Sequence, residues 1–185
     1  MNPMPADAKL VFKGILFEVW QWEQKMFDGS VKTFERLRRQ NTALVIATVG
    51  EKILVLDEQQ PNTAMFPGLP GGRCDLDEDS LTAAKRELLE ETGYVSDDWT
   101  LWQEKNPVGK MEWTIYTYVA RDCVFNQPSQ LDAGEKIETR LIDFEEFLML
   151  SDNPLFYEKE LVEYLLRARL DPKKKEEFHK LLFPK

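Results

Sequence analysis

Three glutamates crowd one side of the segment Ser80–Thr92, which the sequence predicts to be a helix. Glu87 is three positions from Glu90 and four from Glu91, so the three side chains are neighbours on a helical surface. Like charges at this spacing repel, and the later two also lie at the helix C-terminus, where the macrodipole disfavours each anion by about 0.3–1 kcal/mol. Clustered carboxylate oxygens suit hard divalent cations such as Mg²⁺, Mn²⁺ and Ca²⁺. The cluster therefore predicts a cation site, with the alternative of a solvated acidic face neutralised by Arg86 and the lysine beside it.

The local sequence favours a helix at this place. Residues 80–92 contain no glycine or proline and are rich in Leu, Ala, Glu and Lys. Asp79 or Ser80 is placed to cap the start, and Gly93 is placed to end the helix in a left-handed turn. The apolar residues that share one stripe of the helix, and are predicted to face a core, are Leu81, Ala84 and Leu88.

A longer pattern of fixed spacing surrounds these glutamates. Its nine defined positions over 23 residues are Gly72, Glu78, Arg86, Glu87, Leu88, Glu90, Glu91, Gly93 and Tyr94. The pattern resembles the motif of the Nudix hydrolases, which runs glycine, five residues, glutamate, seven residues, and then Arg-Glu-apolar-x-Glu-Glu-x-Gly-apolar. The resemblance extends from about residue 10 to residue 150. It implies an α+β fold, an α/β/α sandwich in which a mixed central sheet is flanked by helices.

Nudix hydrolases cleave a nucleoside diphosphate linked to another group, by attack of water on a phosphorus atom of the pyrophosphate. The resemblance implies Mg²⁺ as the cofactor, with Mn²⁺ able to substitute, because such cations neutralise phosphate oxygens and lower the pKa of a bound water. The implied metal ligands are Glu87, Glu91, Glu90 and the backbone carbonyl of Gly71, for which a plain turn is the alternative role. Arg86 is implied to orient a motif glutamate, and Glu78 is implied to pair with Arg86 and support the fold.

The N-terminal part resembles the branch of ADP-ribose and nucleotide-sugar pyrophosphatases. It is rich in β-forming residues and contains the hairpin turn signal Asp-Gly at residues 28–29. In that branch this hairpin forms a homodimer and lends aromatic and basic side chains to the active site. The candidate substrate-binding residues are Trp20, Trp22 and Phe34, for stacking on a base, and Arg39, for contact with a phosphate. Packing in a core or in a dimer interface is the alternative role of the aromatic residues.

A late loop, residues 130–138, resembles the loop that carries the catalytic base in the same branch. Glu135 aligns best with that base and Glu138 next, and a glutamate of the motif is the remaining alternative. A loop carboxylate can close over the metals when substrate binds. The alternative for Glu135 is a solvated loop glutamate without a catalytic role.

Three features depart from the pattern of this branch. Residues 69–72 read Leu-Pro-Gly-Gly, as in triphosphate-cleaving members, where Leu-Pro-Ala-Gly is usual; Pro107 lies short of the proline that marks ADP-ribose enzymes; and Gln60 replaces a substrate-binding arginine. The leading prediction is metal-dependent hydrolysis of an ADP-ribose-like or nucleoside-diphosphate-sugar substrate to a nucleoside monophosphate and a sugar phosphate. The alternatives are a nucleoside triphosphate pyrophosphatase and a non-catalytic nucleotide sensor, which would usually have lost motif glutamates.

Composition and charge argue against several other classes of protein. The chain has 185 residues, a net charge of −9 and no basic stripe, which argues against nucleic-acid binding. Its two isolated cysteines argue against a disulfide scaffold or a zinc site, and its single histidine, His179, gives little support to histidine-based catalysis. No signal peptide begins the sequence, and no apolar run approaches the roughly 20 residues of a membrane helix. We therefore expect a cytoplasmic protein with a small-molecule substrate.

The chain is predicted to be one domain in three segments. Residues 1–38 form a β-rich extension expected to dimerise, residues 39–150 form the Nudix domain, and residues 151–185 form a helical segment packed on it. Strands are predicted over residues 10–27, 31–37, 42–49, 52–57, 99–104, 111–120 and 137–142, with a proline- and glycine-rich loop over 58–72. Helices are predicted over residues 80–92, 143–150, 157–170 and 171–182. These elements also indicate a mixed sheet flanked by helices, an α+β domain.

Overall fold

The computed structural model describes residues 4–131 and 133–184; residues 1–3 of the predicted extension, Asp132 of the predicted catalytic loop and Lys185 lie outside the described residues. The strands are β1 Lys9–Lys13, β2 Glu18–Lys25, β3 Val31–Arg38, β4 Thr42–Val49, β5 Lys52–Gln59, β6 Phe66–Gly68, β7 Gly71–Arg73, β8 Tyr94–Val95, β9 Asp98–Lys105, β10 Met111–Glu112, β11 Ile115–Arg121, β12 Val124–Phe125 and β13 Lys136–Ile142. The helices are α1 Ser80–Thr92, α2 Phe144–Met149, α3 Lys159–Leu170 and α4 Pro172–Leu182, with a 3-10 helix at Leu150–Asp152.

The central sheet has the strand order β13-β5-β4-β11-β9, with β6 beside β5 and β7 beside β4. Strands β4 and β11 are parallel, with Val45 opposite Tyr118, and the other pairs in this sheet are antiparallel. Alternate residues of β4 point to opposite faces, as the period of a strand requires. Leu44 and Ile46 pack on one face, and Ala43 and Val45 pack on the other. The strand is therefore buried on both sides.

Helices cover both faces of this sheet. Helix α1 packs on one face through Ala83, Ala84 and Leu88. The opposite face is covered by large buried side chains from the C-terminal part of the chain, which are Phe147, Phe156, Leu161, Leu165, Phe178 and Leu182. Burial of each such side chain stabilises the fold by about 1.5–3 kcal/mol. The predicted α/β/α sandwich with a mixed central sheet is confirmed, and the C-terminal helices contribute to its core.

The N-terminal strands form a second sheet in the order β1-β2-β3-β10. Strand β10 is parallel to β3, with Met111 opposite Leu37, and it connects the extension to the rest of the chain. Many large apolar side chains of the extension are exposed, which are Leu10, Val11, Phe12, Ile15, Leu16, Phe17, Phe27, Val31 and Phe34. Exposed apolar surface concentrated in one region is typical of an interaction site.

Both ends of α1 follow from local sequence. The carboxylate of Asp79 accepts the backbone N–H groups of Leu81 and Thr82, each over 3.0 Å, and so caps the first turn. Gly93 ends the helix at a φ of 75°, and its N–H donates to the carbonyl oxygen of Leu89 over 2.8 Å. Within the described residues, no helix is both long and apolar enough to cross a membrane.

The strand predicted over residues 111–120 is wrong in one respect, because it is interrupted at Trp113 and Thr114. Here the backbone bonds to a neighbouring segment: the N–H of Thr114 donates to the side chain of Asn41 over 2.9 Å, and its carbonyl accepts the N–H of Thr42 over 2.9 Å. The indole of Trp113 donates to the hydroxyl of Thr42 over 3.0 Å. Trp113, in this interruption, lines the cleft described below.

Two other local predictions differ from the structure. The loop predicted over residues 58–72 contains the short strands β6 and β7, of which β6 pairs with the preceding strand β5 and β7 pairs with β4, about 30 positions earlier. Helix α3 begins at Lys159 and not at Tyr157. The N–H of Tyr157 donates to the carbonyl of Pro67 over 3.0 Å, and its ring stacks on Phe66 with centroids 5.1 Å apart. These tertiary contacts hold Tyr157 outside the helix.

Candidate active site

Strand β7 passes directly beside the acidic face of α1. The backbone N–H of Gly71 donates to Oε2 of Glu91 over 2.8 Å. Gly72 faces Glu87 so closely that a Cβ at this position would collide with the Glu87 carboxylate. Gly72 therefore permits a close approach of the strand to the helix that a side chain would prevent, whereas a Cβ on Gly71 would collide with the backbone of Ala43 in β4.

Arg86 contacts three of the four motif glutamates. Its Nε and Nη2 donate to the two oxygens of Glu78 over 3.1 and 3.0 Å, and its Nη1 donates to Glu87 over 2.8 Å and to Glu90 over 3.1 Å. Nη2 also donates to the carbonyl oxygen of Arg73 over 3.0 Å. The planar guanidinium therefore fixes these carboxylates in place and offsets their mutual repulsion. Arg86 therefore neutralises part of the negative charge of the cluster, which is the alternative role that the sequence left open for it.

Burial governs the protonation of the two glutamates nearest β7. It raises the pKa of Glu91 well above its usual value, against the hydrogen bond from Gly71, and neighbouring carboxylates raise this pKa further. Glu91 is only 8% exposed. Burial also raises the pKa of Glu87, against the opposing effect of Arg86. Positive charge near these two groups would favour their ionised forms, and a bound cation supplies such charge.

The oxygen donors of this region suit a hard divalent cation. The predicted ligands Glu87, Glu90 and Glu91 are carboxylates, which Mg²⁺ and Mn²⁺ prefer, and the predicted backbone ligand Gly71 lies beside them. Among the described residues, no group of three metal-ligating side chains is close enough to hold an ion. Arg86 contacts one oxygen each of Glu87 and Glu90. The donor chemistry fits, and the metal site stays a prediction.

The acidic cluster lies in one lobe of a two-lobed cleft. The acidic lobe has a volume of about 570 Å³ and is lined by Arg86, Glu87, Glu90 and Gln130 among others. The second, mixed lobe has a volume of about 680 Å³ and combines apolar with acidic side chains, which include Leu44, Leu69, Pro107, Trp113, Ile115, Tyr157, Glu58, Glu158 and Glu160. The lobes share the residues Arg39, Gln60, Gly71, Gly72, Arg73, Glu91 and Glu135. A ligand bound over these shared residues would extend into both lobes.

Glu135 lies in this cleft, as expected for the loop glutamate. It lines both lobes, and its charge contributes to the raised pKa values of Glu87, Glu91 and Glu58. Glu138 is placed differently: it lies in β13 opposite a residue of β5 and lines neither lobe. Of the two candidates for the base, Glu135 is the one that the fold brings beside the motif glutamates.

The predicted substrate-binding residues fall into two groups. Arg39 lines both lobes, and its guanidinium lies 4.5 Å from the ring centroid of Trp113. Trp20, Trp22 and Phe34 lie on the N-terminal sheet and line neither lobe. The rings of Trp22 and Phe34 instead contact one another with centroids 6.1 Å apart. In a single chain these three aromatic residues are not brought to the cleft, so their role in substrate binding stays a prediction that requires a second copy.

Several residues of the mixed lobe were not predicted from the sequence. Glu58 follows the buried part of β5, and burial together with the charge of Glu135 raises its pKa to about 7. Glu158 is 3% exposed, and burial raises its pKa to about 8. One local signal was present for Glu158: it precedes a helix, where a capping Ser, Thr, Asp or Asn is preferred, and it forms no capping hydrogen bond.

Comparison with known proteins identifies the family. A sequence model of the NUDIX domain matches residues 38–165. The chain therefore belongs to the Nudix family, and it is a hydrolase that acts on pyrophosphate bonds. The resemblance to the ADP-ribose branch, inferred from the motif and the N-terminal hairpin, is confirmed as well.

Two curated proteins and one solved structure are similar over most of the chain. The "Methanol dehydrogenase activator" of Bacillus methanolicus is 26% identical over 157 residues, which cover 82% of this chain and 84% of that protein. The "ADP-ribose pyrophosphatase" of Bacillus subtilis (strain 168) is 23% identical over 152 residues, which cover 80% of this chain and 82% of that protein. A structure titled "Crystal structure of ADP compounds hydrolase" superposes with a TM-score of 0.73 at 20% identity, over 94% of this chain and 96% of that one, and shares the fold.

Proposed function

We propose that this chain hydrolyses the pyrophosphate bond of an ADP-ribose-like or nucleoside-diphosphate-sugar substrate with the help of Mg²⁺, for which Mn²⁺ can substitute. The products are a nucleoside monophosphate and a sugar phosphate. The observation that carries this proposal is the two-lobed cleft, in which Gly71, Gly72, Glu91 and Glu135 line both lobes. A diphosphate with a bulky group at each end needs room on both sides of the bond that is cleaved.

The charges around the junction of the lobes support an anionic ligand. Arg39 and Arg73 both line the two lobes, and the charge of Arg73 contributes, after burial, to the lowered pKa of Arg39. Two like charges in one cleft repel each other, and a bound anion relieves that repulsion. We assign these arginines to the phosphate groups of the substrate.

The mechanism assigns one task to each acidic residue. A bound divalent cation would neutralise phosphate oxygens and make a bound water more acidic. Glu87, Glu90 and Glu91 would hold this cation, while Arg86 keeps Glu87 and Glu90 in place. Glu135 would take a proton from the attacking water, whose oxygen bonds to one phosphorus as the bridging P–O bond breaks, and the bridging oxygen leaves with the other phosphate. Glu138 and the motif glutamates remain alternative bases.

The names of the relatives support the substrate class. The Bacillus subtilis relative is named an ADP-ribose pyrophosphatase, and the similar structure is titled as a hydrolase of ADP compounds. The Bacillus methanolicus relative carries a different kind of name, that of an activator of another enzyme. Both curated relatives are similar over at least 80% of this chain.

A substrate panel tests the proposal. The chain is incubated with Mg²⁺ and ADP-ribose, ADP-glucose or ATP, and the products are identified by mass, with Glu91→Gln as the inactive control. We expect AMP and the sugar phosphate from the diphosphate substrates, and no product in EDTA. Pyrophosphate released from ATP, with the diphosphate sugars intact, would establish the triphosphate alternative, and binding without any product would establish a sensor.

The N-terminal sheet is proposed as the interface of a homodimer. Residues 1–38 carry the exposed apolar side chains described above, including Phe12 at 60% exposure, and a second copy is the occupant that the family resemblance implies. In this arrangement residues 39–150 supply the motif and residues 151–185 complete the core. Light scattering would show a dimer for the wild-type chain and a monomer for Phe12→Glu. A wild-type monomer would contradict the proposal.

A further inference from the structure

Glu158 has a buried carboxyl group that lines the mixed lobe, and one of its oxygens has no hydrogen-bond partner among the described residues. The residue is 3% exposed. Its Oε1 accepts the backbone N–H of Leu69 over 3.1 Å. Its Oε2 is buried and has no hydrogen-bond partner in the described part of the chain. Buried polar atoms are nearly always hydrogen-bonded, so this oxygen calls for a partner that the chain itself does not provide.

Two lysines, one adjacent to Glu158 in sequence and one bonded to the backbone of Glu160, donate to carbonyl oxygens and not to Glu158. Lys159 follows it in sequence, and its ammonium donates to the carbonyl of Pro154 over 2.7 Å. Lys105 donates to the carbonyl of Glu160 over 2.9 Å. The side chain of Glu158 also does not cap α3, since its carboxyl group accepts no hydrogen bond from the first turn of that helix. The contact with Leu69 therefore explains only one of the two carboxyl oxygens.

A second carboxyl group, that of Glu58, lies near the carboxyl group of Glu158 and lines the same lobe. A Cβ built on Gly68 would lie 2.6 Å from Oε1 of Glu58 and 3.6 Å from Oε1 of Glu158. Burial raises the pKa of Glu58 to about 7 and that of Glu158 to about 8, so near neutral pH both groups are largely or partly uncharged. A pair of this kind suits an uncharged hydrogen-bonding partner better than a phosphate.

We propose that Glu158, together with Glu58, binds sugar hydroxyl groups of the substrate in the mixed lobe and so determines specificity. This inference rests on the proposed function, since it places one end of the diphosphate substrate in that lobe. A hydroxyl both donates and accepts a hydrogen bond, so it pairs with a carboxyl group in either protonation state. Acidic side chains bind ribose hydroxyls in the same way at dinucleotide sites. Two carboxyl groups that line one lobe can pair with two adjacent hydroxyls of a pentose.

The sugar has two possible sources in a substrate of this class: the ribose of the nucleoside and the sugar at the other end of the diphosphate. The two sources are separated by ligands that carry only one of them. ADP and 2′-deoxy-ADP carry the nucleoside end, with and without one of the adjacent hydroxyls. Ribose 5-phosphate carries the opposite end alone.

The test compares the wild-type chain with Glu158→Gln and, as a control on the same helix, Glu163→Gln. The glutamine variant keeps a carbonyl oxygen for the N–H of Leu69 and changes only the atom at Oε2. Glu163 is an exposed residue that pairs with Arg167, and its substitution leaves the cleft untouched. Dissociation constants are measured by calorimetry in EDTA, where metal-dependent hydrolysis is prevented, and kcat and KM for ADP-ribose are measured with Mg²⁺. Melting temperatures confirm that each variant is folded.

We expect Glu158→Gln to weaken binding of ADP-ribose and to raise its KM by about tenfold, with kcat changed much less. If the nucleoside ribose is the source, ADP shows the same loss and ribose 5-phosphate shows none; a smaller loss for 2′-deoxy-ADP then assigns Glu158 to the 2′-hydroxyl. If the opposite sugar is the source, ribose 5-phosphate shows the loss and ADP shows none. A Kd and a KM for ADP-ribose within twofold of wild type would overturn the inference and leave Glu158 a structural residue. Binding by the wild-type chain without turnover of any diphosphate would overturn the proposed function alone, because the Kd comparison does not depend on hydrolysis.

Discussion

The backbone N–H of Gly71 donates a 2.8 Å hydrogen bond to Oε2 of Glu91, and this contact joins strand β7 to helix α1 in the part of the cleft that both lobes share. Because Glu91 is 8% exposed, its carboxyl group is removed from water and held by a neutral donor. Burial of an acid in this way lowers the stability of the fold unless a partner compensates for the lost hydration. We propose that this cost is retained because the buried carboxylate binds a divalent cation.

Glu91→Gln should separate catalysis from folding. The glutamine carbonyl can still accept the N–H of Gly71, so we expect a melting temperature equal to that of the wild-type chain or higher. Loss of a carboxylate that holds the cation should lower kcat by about three orders of magnitude, which corresponds to several kcal/mol. Steady-state kinetics with ADP-ribose and thermal unfolding measure the two effects. Wild-type turnover in this variant would remove Glu91 from the mechanism.

Arg86→Lys should damage both stability and turnover. A lysine cannot reproduce the fork that contacts Glu78, Glu87 and Glu90 together, so we expect a loss of about 1–3 kcal/mol in the free energy of unfolding and at least a tenfold loss in kcat/KM. The matched control is Arg140→Lys.

Arg140 also forms a fork, which contacts Asp57 and Glu146 away from the two lobes. We expect Arg140→Lys to lose stability by a comparable amount and to keep its kcat. Urea unfolding and steady-state kinetics of the two variants give the comparison. Equal losses of kcat in both would show that Arg86 acts only through stability.

Gly72→Ala should displace Glu87. The new methyl group would overlap the Glu87 carboxylate, so the side chain must move away from the place where Arg86 holds it. We expect kcat to fall at least tenfold and the free energy of unfolding to fall by about 1–3 kcal/mol. In Gly109→Ala, where a Cβ would meet no atom within 4 Å, both quantities should stay at wild-type values. Full activity of Gly72→Ala would contradict the placement of Glu87 beside β7.

The stability of the metal-free chain should depend on pH through Glu58. Its folded pKa is raised to about 7, above the value near 4.5 of an unfolded chain. The folded state therefore binds more protons between these values, and Glu58 makes the free energy of unfolding fall as the pH rises from about 4.5 to 7. Glu58→Gln should reduce this decline, which urea titrations across the pH range would measure. An identical decline in both proteins would show that Glu58 is not buried as described.

Local features of the fold could be predicted from the sequence because neighbouring residues decide them. Asp79 and Gly93 bound α1 through contacts within one helical turn, and the alternation of residues in β4 follows from burial on both faces. The interruption at Trp113 could not be predicted, because its cause is the packing of a segment some 70 positions earlier in the chain. The same holds for the start of α3, which is set by contacts of Tyr157 with β6.

In the site, too, contacts between residues close in sequence could be predicted, and contacts between distant residues could not. The motif spacing placed Glu87, Glu90 and Arg86 together, since these residues share one helix. Glu158 lies 89 positions after Leu69, to which it bonds, and no local pattern links the two. The predicted role of the aromatic residues of the N-terminal sheet depends on neither local nor distant contacts within one chain, because it requires a second chain.

The binding of a metal ion at the motif glutamates is the central claim, and crystals of the protein soaked with Mn²⁺ test it most directly by anomalous diffraction. We expect a manganese peak at the carboxylates of Glu87 and Glu91 in the wild-type protein and its loss in Glu91→Gln. A manganese ion bound elsewhere, with Glu87 and Glu91 still occupied by Arg86 and Gly71 as described, would contradict the account.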